Sequence, residues 1–264
     1  MTSSWTRPGR AVRAGYALIP LLALTACDHH GGDRPPSEAR AGDLAAGLRA
    51  AEVADGDRLV ITTPGGVRVA GTDGDSVTVD DTTLTRWDSD GSSHTLDLPC
   101  DEGDDRTRAN CAGMPLVRVP AGIVLTVRAR NAGIDVSDVR GGLSLSTVNG
   151  DVTVQDSGAD GAPQRLQTRN GSVHASGLSA RTVRAETVNG DIDLRCATSP
   201  DTLDGDTRNG SVRVTLPADA PPYTTRAGTI NGHSSTDTPA AGPEETRHRL
   251  TLHTINGNTE IHQG

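Results

Sequence analysis

A four-residue phrase, Thr-x-Asn-Gly, recurs six times in the second half of the chain and constrains the fold more than any other feature. Its asparagines are separated by 21, 19, 20, 22 and 25 residues, and a degenerate earlier copy reads Asn131-Ala132-Gly133. Self-similarity at a near-constant spacing is the signature of a repeat architecture. The predicted repeat turns are Asn149-Gly150, Asn170-Gly171, Asn189-Gly190, Asn209-Gly210, Asn231-Gly232 and Asn256-Gly257.

The residues on both sides of each phrase alternate between apolar and polar types. Residues 143–146 alternate before Asn149, and residues 151–154 alternate after Gly150. A period of two with many β-branched residues predicts strands with one buried face. Gly, Pro, Asp and Ser clusters separate the units, and no segment has a convincing helical period. The sequence therefore predicts an all-β fold.

Two architectures fit this pattern. Each Asn-Gly could close a type I′ hairpin in an antiparallel meander, with Leu145 facing Val154. Alternatively, each unit is one coil of a β-solenoid, a β-helix-like stack in which every coil lies on the previous one. Coils of about 20 residues place Arg169 two rungs from Arg208, whereas coils of about 40 would stack like charges directly. The prediction is a β-solenoid with coils of about 20 residues, each carrying a Thr-x-Asn-Gly turn, and the meander stays open.

The first 26 residues read as a lipoprotein signal peptide. Arg7, Arg10 and Arg13 precede an apolar stretch, residues 14–26, that is too short to cross a bilayer. The stretch ends in Leu-Thr-Ala-Cys, which resembles a bacterial lipobox ending at Cys27. We therefore expect a diacylglyceryl group on Cys27, which two acyl chains would hold stably on the outer face of the cell membrane.

The remaining chain divides into a predicted tether, residues 27–56, and a repeat domain, residues 57–264. Leu44, Leu48 and Val53 suggest at most a weak helical turn within the tether. Without residues 1–26 the chain has 22 basic and 34 acidic residues, a formal net charge of −12. Such a body lacks the basic footprint that nucleic acids and anionic lipid head groups require. We expect no nucleic-acid partner, and we expect a monomer attached to the membrane by its lipid.

Three cysteines follow the predicted anchor. Cys100 and Cys111 flank an acidic loop, residues 101–105, and an exported protein meets oxidising conditions, so a disulfide between them is the leading interpretation. Cys196 is then unpaired and is expected to be a small buried residue, although a bridge to either of the other two stays open. The acidic loop and residues 73–81 match no known calcium motif, so solvated turns are expected and no metal is assigned.

The sequence contains no motif typical of an enzyme. It has no Gly-x-Ser-x-Gly, no His-Glu-x-x-His, no phosphate-binding glycine loop and no Cys-x-x-Cys. Only two aromatic residues, Trp87 and Tyr223, follow the signal peptide, which disfavours a sugar-stacking groove. We expect no catalytic residues, no cofactor and no enzymatic activity.

One stretch of the chain resembles the DUF4097 "putative adhesin" family. The resemblance is carried by residues 117–122, 125–127, 133–136 and 142–152. The resemblance covers roughly residues 57–262 and is strongest from 115 to 215. It implies a β-solenoid and an adhesin-type role, and it transfers no catalytic residues. The last two units depart from the regular spacing, and an inserted loop at 237–245 is expected there.

Three functions remain as hypotheses, in decreasing order. The first is a non-enzymatic surface lipoprotein that presents a rigid β-repeat domain for binding or adhesion to a cell-envelope protein or polysaccharide. The second is an envelope-stress or signalling accessory that contacts a neighbouring membrane protein. The third is a polysaccharide-active enzyme.

Overall fold

The computed structural model describes residues 45–239 and 247–264, apart from Glu102, Asp104 and Arg106. Within these residues the chain forms a five-residue helix, α1 (Arg108–Ala112), and 19 strands. The strands are β1 (Ala45–Glu52), β2 (Arg58–Thr62), β3 (Val67–Thr72), β4 (Ser76–Asp90), β5 (Ser93–Asp97), β6 (Leu116–Pro120), β7 (Val124–Arg128), β8 (Ile134–Ser137), β9 (Leu143–Ser146), β10 (Val152–Gln155), β11 (Gly158–Gln167), β12 (Val173–Glu186), β13 (Ile192–Cys196), β14 (Thr202–Asp206), β15 (Val212–Leu216), β16 (Thr224–Asn231), β17 (Ser234–Asp237), β18 (Arg249–Asn256) and β19 (Thr259–Gln263). The all-β prediction is confirmed.

The strands pair as two sheets. Sheet 1 has the spatial order β1-β4-β6-β3-β8-β10-β12-β13-β15-β19-β17. Sheet 2 has the order β4-β5-β2-β7-β9-β11-β12-β14-β18-β16. The long strands β4 and β12 contribute to both sheets. Strand β4 pairs antiparallel with β1, β5 and β6, and the other pairings among the described strands are parallel.

The strands before and after each Asn-Gly lie in different sheets. Strand β9 belongs to sheet 2, where Leu145 pairs with Leu166, and β10 belongs to sheet 1, where Val152 pairs with Val173. The antiparallel meander, with Leu145 facing Val154, is therefore wrong. The physical reason is that a turn between two sheets lets both strands bury their apolar face against the same core, with a parallel neighbour on either side.

The core lies between the two sheets and consists almost entirely of aliphatic side chains. Each strand of the central stack alternates buried and partly exposed residues, as the sequence predicts, and Val152, Val154 and Leu166 are fully buried. Burying one such side chain contributes roughly 1.5–3 kcal/mol. Tyr223 is the one aromatic residue among the largest fully buried side chains of the described chain.

The coils do not follow one another in sequence order at the two ends of the stack. The β2–β3 coil lies between β5–β6 and β7–β8, and the β18–β19 coil lies between β14–β15 and β16–β17. The expectation that every coil lies on the previous one is therefore wrong. At the C-terminal end, the coil whose inward-facing residues are larger and more apolar takes the inner position. Leu250, Leu252 and Ile261 of the inserted coil are buried, whereas their partners in the outermost coil are Thr225, Ala227 and Thr236.

The N-terminal boundary of the repeat domain lies earlier than predicted. Strand β1 pairs antiparallel with β4, with Leu48 beside Val79, and Val53 is only 2% exposed. Residues 45–56 are therefore not tether, and Leu48 and Val53 do not form a helical turn. They cover the apolar edge that Val77 and Val79 would otherwise expose at the first coils.

Several predictions fall outside the described residues. The signal peptide, Cys27, Leu44 and residues 240–245 of the predicted loop are among them. In the part of the chain that the structure describes, no helix is long and apolar enough to span a membrane.

Candidate functional site

The asparagines of the repeat turns form a ladder of side-chain hydrogen bonds along one corner of the stack. At each step the Nδ2 of one asparagine donates to the Oδ1 of its neighbour, at 2.7–2.9 Å for five steps and 3.4 Å for the first. The ladder runs in the spatial order Asn131, Asn149, Asn170, Asn189, Asn209, Asn256 and Asn231. Because each amide must meet its neighbour, the ladder ties the register of one coil to that of the next.

The threonine of each phrase donates to a backbone carbonyl of the neighbouring coil, and all of these threonines except Thr229 are buried. Thr168 Oγ1 donates to the Gly150 carbonyl at 2.8 Å, and Thr207 Oγ1 donates to the Gly190 carbonyl at 2.9 Å. Thr207 is 1% exposed, so its hydroxyl is withdrawn from water and the Gly190 carbonyl is its hydrogen-bond partner. The same contact is made by Thr147, Thr187, Thr229 and Thr254.

The glycine of each phrase is needed because neighbouring coils approach closely at the corner. A Cβ on Gly190 would lie 2.0 Å from the Gly171 carbonyl oxygen, and a Cβ on Gly210 would lie 2.0 Å from that of Gly190. Both also have positive φ, 154° and 150°. Only glycine combines this backbone conformation with so close an approach.

The alternation of Asp and Ser after the glycines has a hydrogen-bonding cause. Asp151 Oδ1 accepts from the Ser172 N–H and Asp191 Oδ1 accepts from the Ser211 N–H, both at 2.7 Å. Ser172 Oγ in turn accepts from the Asp191 N–H at 3.1 Å. Each side chain thus satisfies a backbone donor of the next coil, and the two residue types alternate as the acceptors.

The outer face of sheet 1 carries two adjoining depressions, of about 380 and about 200 Å³, which share Thr153 and Gln155. Together they cross six strands from β6 to β13, and we call them the sheet 1 groove. Its floor is a row of register partners on successive strands: Arg68, Asp135, Thr153, His174 and Asp193. Parallel strands place such residues about 4.8 Å apart, so the groove presents a polar group at every rung.

One carboxylate in this groove has unused hydrogen-bonding capacity. Asp193 Oδ2 lies 3.6 Å from Arg195 Nη2, whereas Asp193 Oδ1 is withdrawn from solvent and has no hydrogen-bond partner within the described chain. Further along the row, Arg213 Nε donates to Glu260 at 2.9 Å, and this bond lowers the pKa of Glu260. The row is thus internally paired at Glu260, whereas Asp193 Oδ1 is left without a donor among the described residues.

A comparison with known families identifies the family of the repeat domain. The family model described as "Toastrack DUF4097" matches residues 60–262. This chain belongs to the DUF4097 Toastrack family. The resemblance noted in the sequence is thereby confirmed over nearly the whole repeat region.

Two solved structures are similar to the Toastrack chain. One, from Clostridium sporogenes, is described as "a putative cell adhesion protein" (8% identity, TM-score 0.36, 84% of this chain and 100% of that chain covered). The other, from Bacteroides fragilis, is described as "a putative adhesin" (15% identity, TM-score 0.41, 87% and 99% covered). No curated protein matches this chain.

The cysteines of the Toastrack domain lie as follows. Cys100 and Cys111 are joined by a disulfide that fastens α1 and the loop between β5 and β6, with the two Cα atoms 5.0 Å apart. Cys196 is free and buried, and burial raises the pKa of its thiol to about 12. A bridge from Cys196 to either of the other cysteines is therefore absent, and its thiol is held protonated beside the core.

Carboxylates of the two acidic segments accept hydrogen bonds from nearby residues of the described chain. Asp80 Oδ1 accepts from the hydroxyls of Thr82 and Thr83, and the Thr83 contact contributes most to lowering the pKa of Asp80. Asp101 Oδ1 accepts from the Gly103 N–H at 2.8 Å. No three His, Cys, Asp or Glu side chains are grouped to hold an ion in these residues.

The fold also assembles three residues that sequence reasoning missed. His94 lies between Ser89, with Ser89 Oγ 2.9 Å from Nδ1, and Asp57, with Oδ2 3.3 Å from Nε2. A short turn after Asp90 makes Ser89 and His94 cross-strand partners, a pairing that the sequence signals. The carboxylate comes from the end of a different coil, 37 residues away, and nothing in the sequence indicated it.

Proposed function

We propose that this Toastrack domain is the binding part of a lipid-anchored cell-envelope protein, and that the sheet 1 groove holds an envelope polysaccharide without catalysing a reaction on it. In this proposal the two sheets are the faces of a β-solenoid, whose regular coil is the repeat of about 20 residues closed by Thr-x-Asn-Gly. The parallel register of Val152 with Val173, and of Val173 with Ile192, supports that coil length.

The observation that carries the binding role is the unpartnered Asp193 Oδ1 on the floor of the groove. A carboxylate oxygen withdrawn from water without a donor costs free energy, which a ligand hydroxyl would recover once the partly exposed Asp193 carboxylate turned that oxygen toward the groove. Gln155, His174 and Thr153 lie around it and supply further donors and acceptors. Such a lining, polar and without an aromatic ring, suits a hydroxyl-rich chain bound by hydrogen bonds rather than by stacking.

The stack makes this surface rigid. From the β7–β8 coil onward, each coil is tied to the next by the Asn ladder and by the threonine of a repeat phrase, so the groove residues of β8, β10, β12 and β13 keep their spacing without a ligand. A preformed surface loses little conformational entropy on binding. A repeating polymer laid across the strands would meet a similar polar group at each rung.

The membrane attachment rests on the Leu-Thr-Ala-Cys motif. Two acyl chains on Cys27 would hold the acidic domain at a surface that it has no charge to bind by itself. Replacement of Cys27 by alanine should release a folded domain into the medium or leave an unprocessed precursor. Retention of a mature-sized product in the membrane would contradict the anchor, as measured by fractionation and mass spectrometry.

The binding role is tested with two matched double variants of the mature chain. Asp193→Asn with Gln155→Ala removes groups from the sheet 1 groove, whereas Asp204→Asn with Gln167→Ala makes the same changes on the outer face of sheet 2. We expect the first variant to bind cell-envelope polysaccharide at least about tenfold more weakly than the parent, a loss of about 1.4 kcal/mol, and the second to bind as the parent does.

Equal binding by both variants and the parent would exclude the sheet 1 groove. Absence of polysaccharide binding by the parent, together with capture of one membrane protein by cross-linking in cells, would instead favour the signalling role. The two results are distinguishable because only the second requires a protein partner.

A further inference from the structure

A serine, a histidine and an aspartate form a connected array at the N-terminal end of the stack. Ser89 lies near the end of β4, the edge strand of sheet 2, and is exposed to solvent. His94 lies behind it on β5 and is 4% exposed, and Asp57 precedes β2 at the adjoining coil. The outermost member of the array is thus accessible, while the histidine is withdrawn from water.

The imidazole of His94 is held on both sides and on one face. Ser89 Oγ lies 2.9 Å from Nδ1, Asp57 Oδ2 lies 3.3 Å from Nε2, and the Trp87 ring stacks on the imidazole at 5.4 Å between ring centres with 19° between planes. Asp57 Oδ2 is itself fixed by the Ala54 N–H at 3.0 Å. A ring fixed in this way has one orientation toward the serine.

The contacts also select the tautomer. The ionised carboxylate of Asp57 only accepts hydrogen bonds, so the neutral ring places its proton on Nε2 and donates it to Asp57. Nδ1 then carries a lone pair directed at Ser89 Oγ, which donates its hydroxyl proton. This is the relation of nucleophile, base and orienting carboxylate found in acyl-transfer sites, recognised by geometry and not by sequence order.

We propose that Ser89 is a reactive nucleophile that takes an acyl group from activated carboxylic esters, with His94 as its base and Asp57 as the positioning residue. In the reaction Ser89 Oγ forms a bond to the carbonyl carbon while its proton passes to His94 Nδ1. The bond from that carbon to the leaving oxygen then breaks, and the leaving group takes the proton from His94. The products are acyl-Ser89 and one alcohol or phenol, with no oxidant or metal required.

This site is independent of the sheet 1 groove and lies outside the polysaccharide-binding role. It makes Ser89 a modification site at which one acyl group is acquired per chain. The same contacts would also serve a histidine that is merely satisfied within the core, so the test measures reactivity and not stability alone.

The experiment treats the mature chain with p-nitrophenyl acetate and follows released p-nitrophenol together with peptide mass spectrometry. We expect a burst of one equivalent, with acetyl on the peptide that contains Ser89. Ser89→Ala should abolish the burst. Ser92→Ala, which removes an exposed hydroxyl three residues away, should leave it unchanged.

Two further variants separate reactivity from folding. His94→Gln should lower the acylation rate about a hundredfold, the low end of what general-base assistance supplies. Asp57→Asn retains the size of the side chain and should lower the rate at least about tenfold, because the imidazole loses its orienting charge. Each rate is compared with the urea unfolding midpoint of the same variant, so that a loss of fold is recognised.

A burst that survives Ser89→Ala, or acetylation of Ser89 no faster than that of Ser92, would overturn the proposal and leave His94 as a satisfied core histidine. An unchanged rate in both the His94 and the Asp57 variants, with the burst still on Ser89, would overturn the roles assigned to those two residues.

Discussion

At the scale of single residues, three of the four positions of Thr-x-Asn-Gly have a side-chain or close backbone contact with the neighbouring coil. The threonine donates to a backbone carbonyl, the asparagine extends the amide ladder, and the glycine permits the close approach of two backbones. The variable second position points outward, where Ile230 is 69% exposed and Val148 is 37% exposed. This division explains why three positions recur and one varies between Val, Ile and Arg.

The glycine contact predicts a large difference between two Gly→Ala variants. Gly190→Ala places a Cβ 2.0 Å from a backbone carbonyl oxygen that cannot move freely, whereas a Cβ on Gly161 meets nothing within 4 Å. We expect Gly190→Ala to lower the free energy of unfolding by at least about 2 kcal/mol and Gly161→Ala to change it by less than about 0.5 kcal/mol. Urea unfolding measures both, and equal effects would refute the close approach.

The threonine contact predicts a cost for an isosteric change. Thr207→Val keeps the shape of the side chain but leaves the Gly190 carbonyl without its donor, and we expect a loss of about 1–3 kcal/mol. Thr215→Val, on the outer face of β15, should be nearly neutral because this residue is partly exposed to solvent. A neutral Thr207→Val in thermal unfolding would mean that the buried hydrogen bond does not matter.

At the residue scale the sequence indicates the turn positions but not their partners. The spacing of the phrases predicts that their asparagines line up, yet the place of Asn256 between Asn209 and Asn231 follows only from the coil order. Cys100 and Cys111 were predictable as a pair because they are close in sequence. The approach of Asp57 to His94 was not, since it depends on how two separate coils are placed.

At the scale of elements, period-2 alternation predicts the strands of residues 115–216 well. It fails at β1, where Leu48 and Val53 suggest a helical turn, because pairing with β4 overrides local preference. It also fails to give the order of the last two coils, which is decided by which coil carries leucine and isoleucine at its inward positions. That choice depends on burial in the whole stack and cannot be made from one repeat alone.

The outermost position of β16 and β17 predicts low local stability. Their inward residues are small and partly exposed, and β17 is exposed along its whole length. We expect backbone amides of residues 224–237 to exchange with deuterium faster than those of residues 202–216, which lie two coils further in. Hydrogen exchange with mass spectrometry measures this, and equal protection of the two segments would contradict the placement of the outermost coil.

At the scale of the whole molecule, the repeat builds a rigid support with two broad polar faces. The sequence predicts a stack of strands, an acidic surface and the lack of a familiar enzyme motif. It does not predict the lining of the sheet 1 groove, because that depends on side chains from six strands of different coils meeting at one place. The unpartnered oxygen of Asp193 is visible only once the neighbours of β13 are known.

The stacking of one coil per repeat, from which the turn ladder and the groove both follow, is tested most directly by engineered disulfides. Thr153 and His174 are register partners on neighbouring parallel strands, so their Cα atoms lie near the roughly 4.8 Å strand spacing, within disulfide range. In an antiparallel hairpin Thr153 would instead face Ser146. In a Cys196→Ala background, Thr153→Cys with His174→Cys should oxidise to an intramolecular disulfide, and Thr153→Cys with Ser146→Cys should not. The reverse outcome by peptide mass spectrometry would contradict the stacked-coil account.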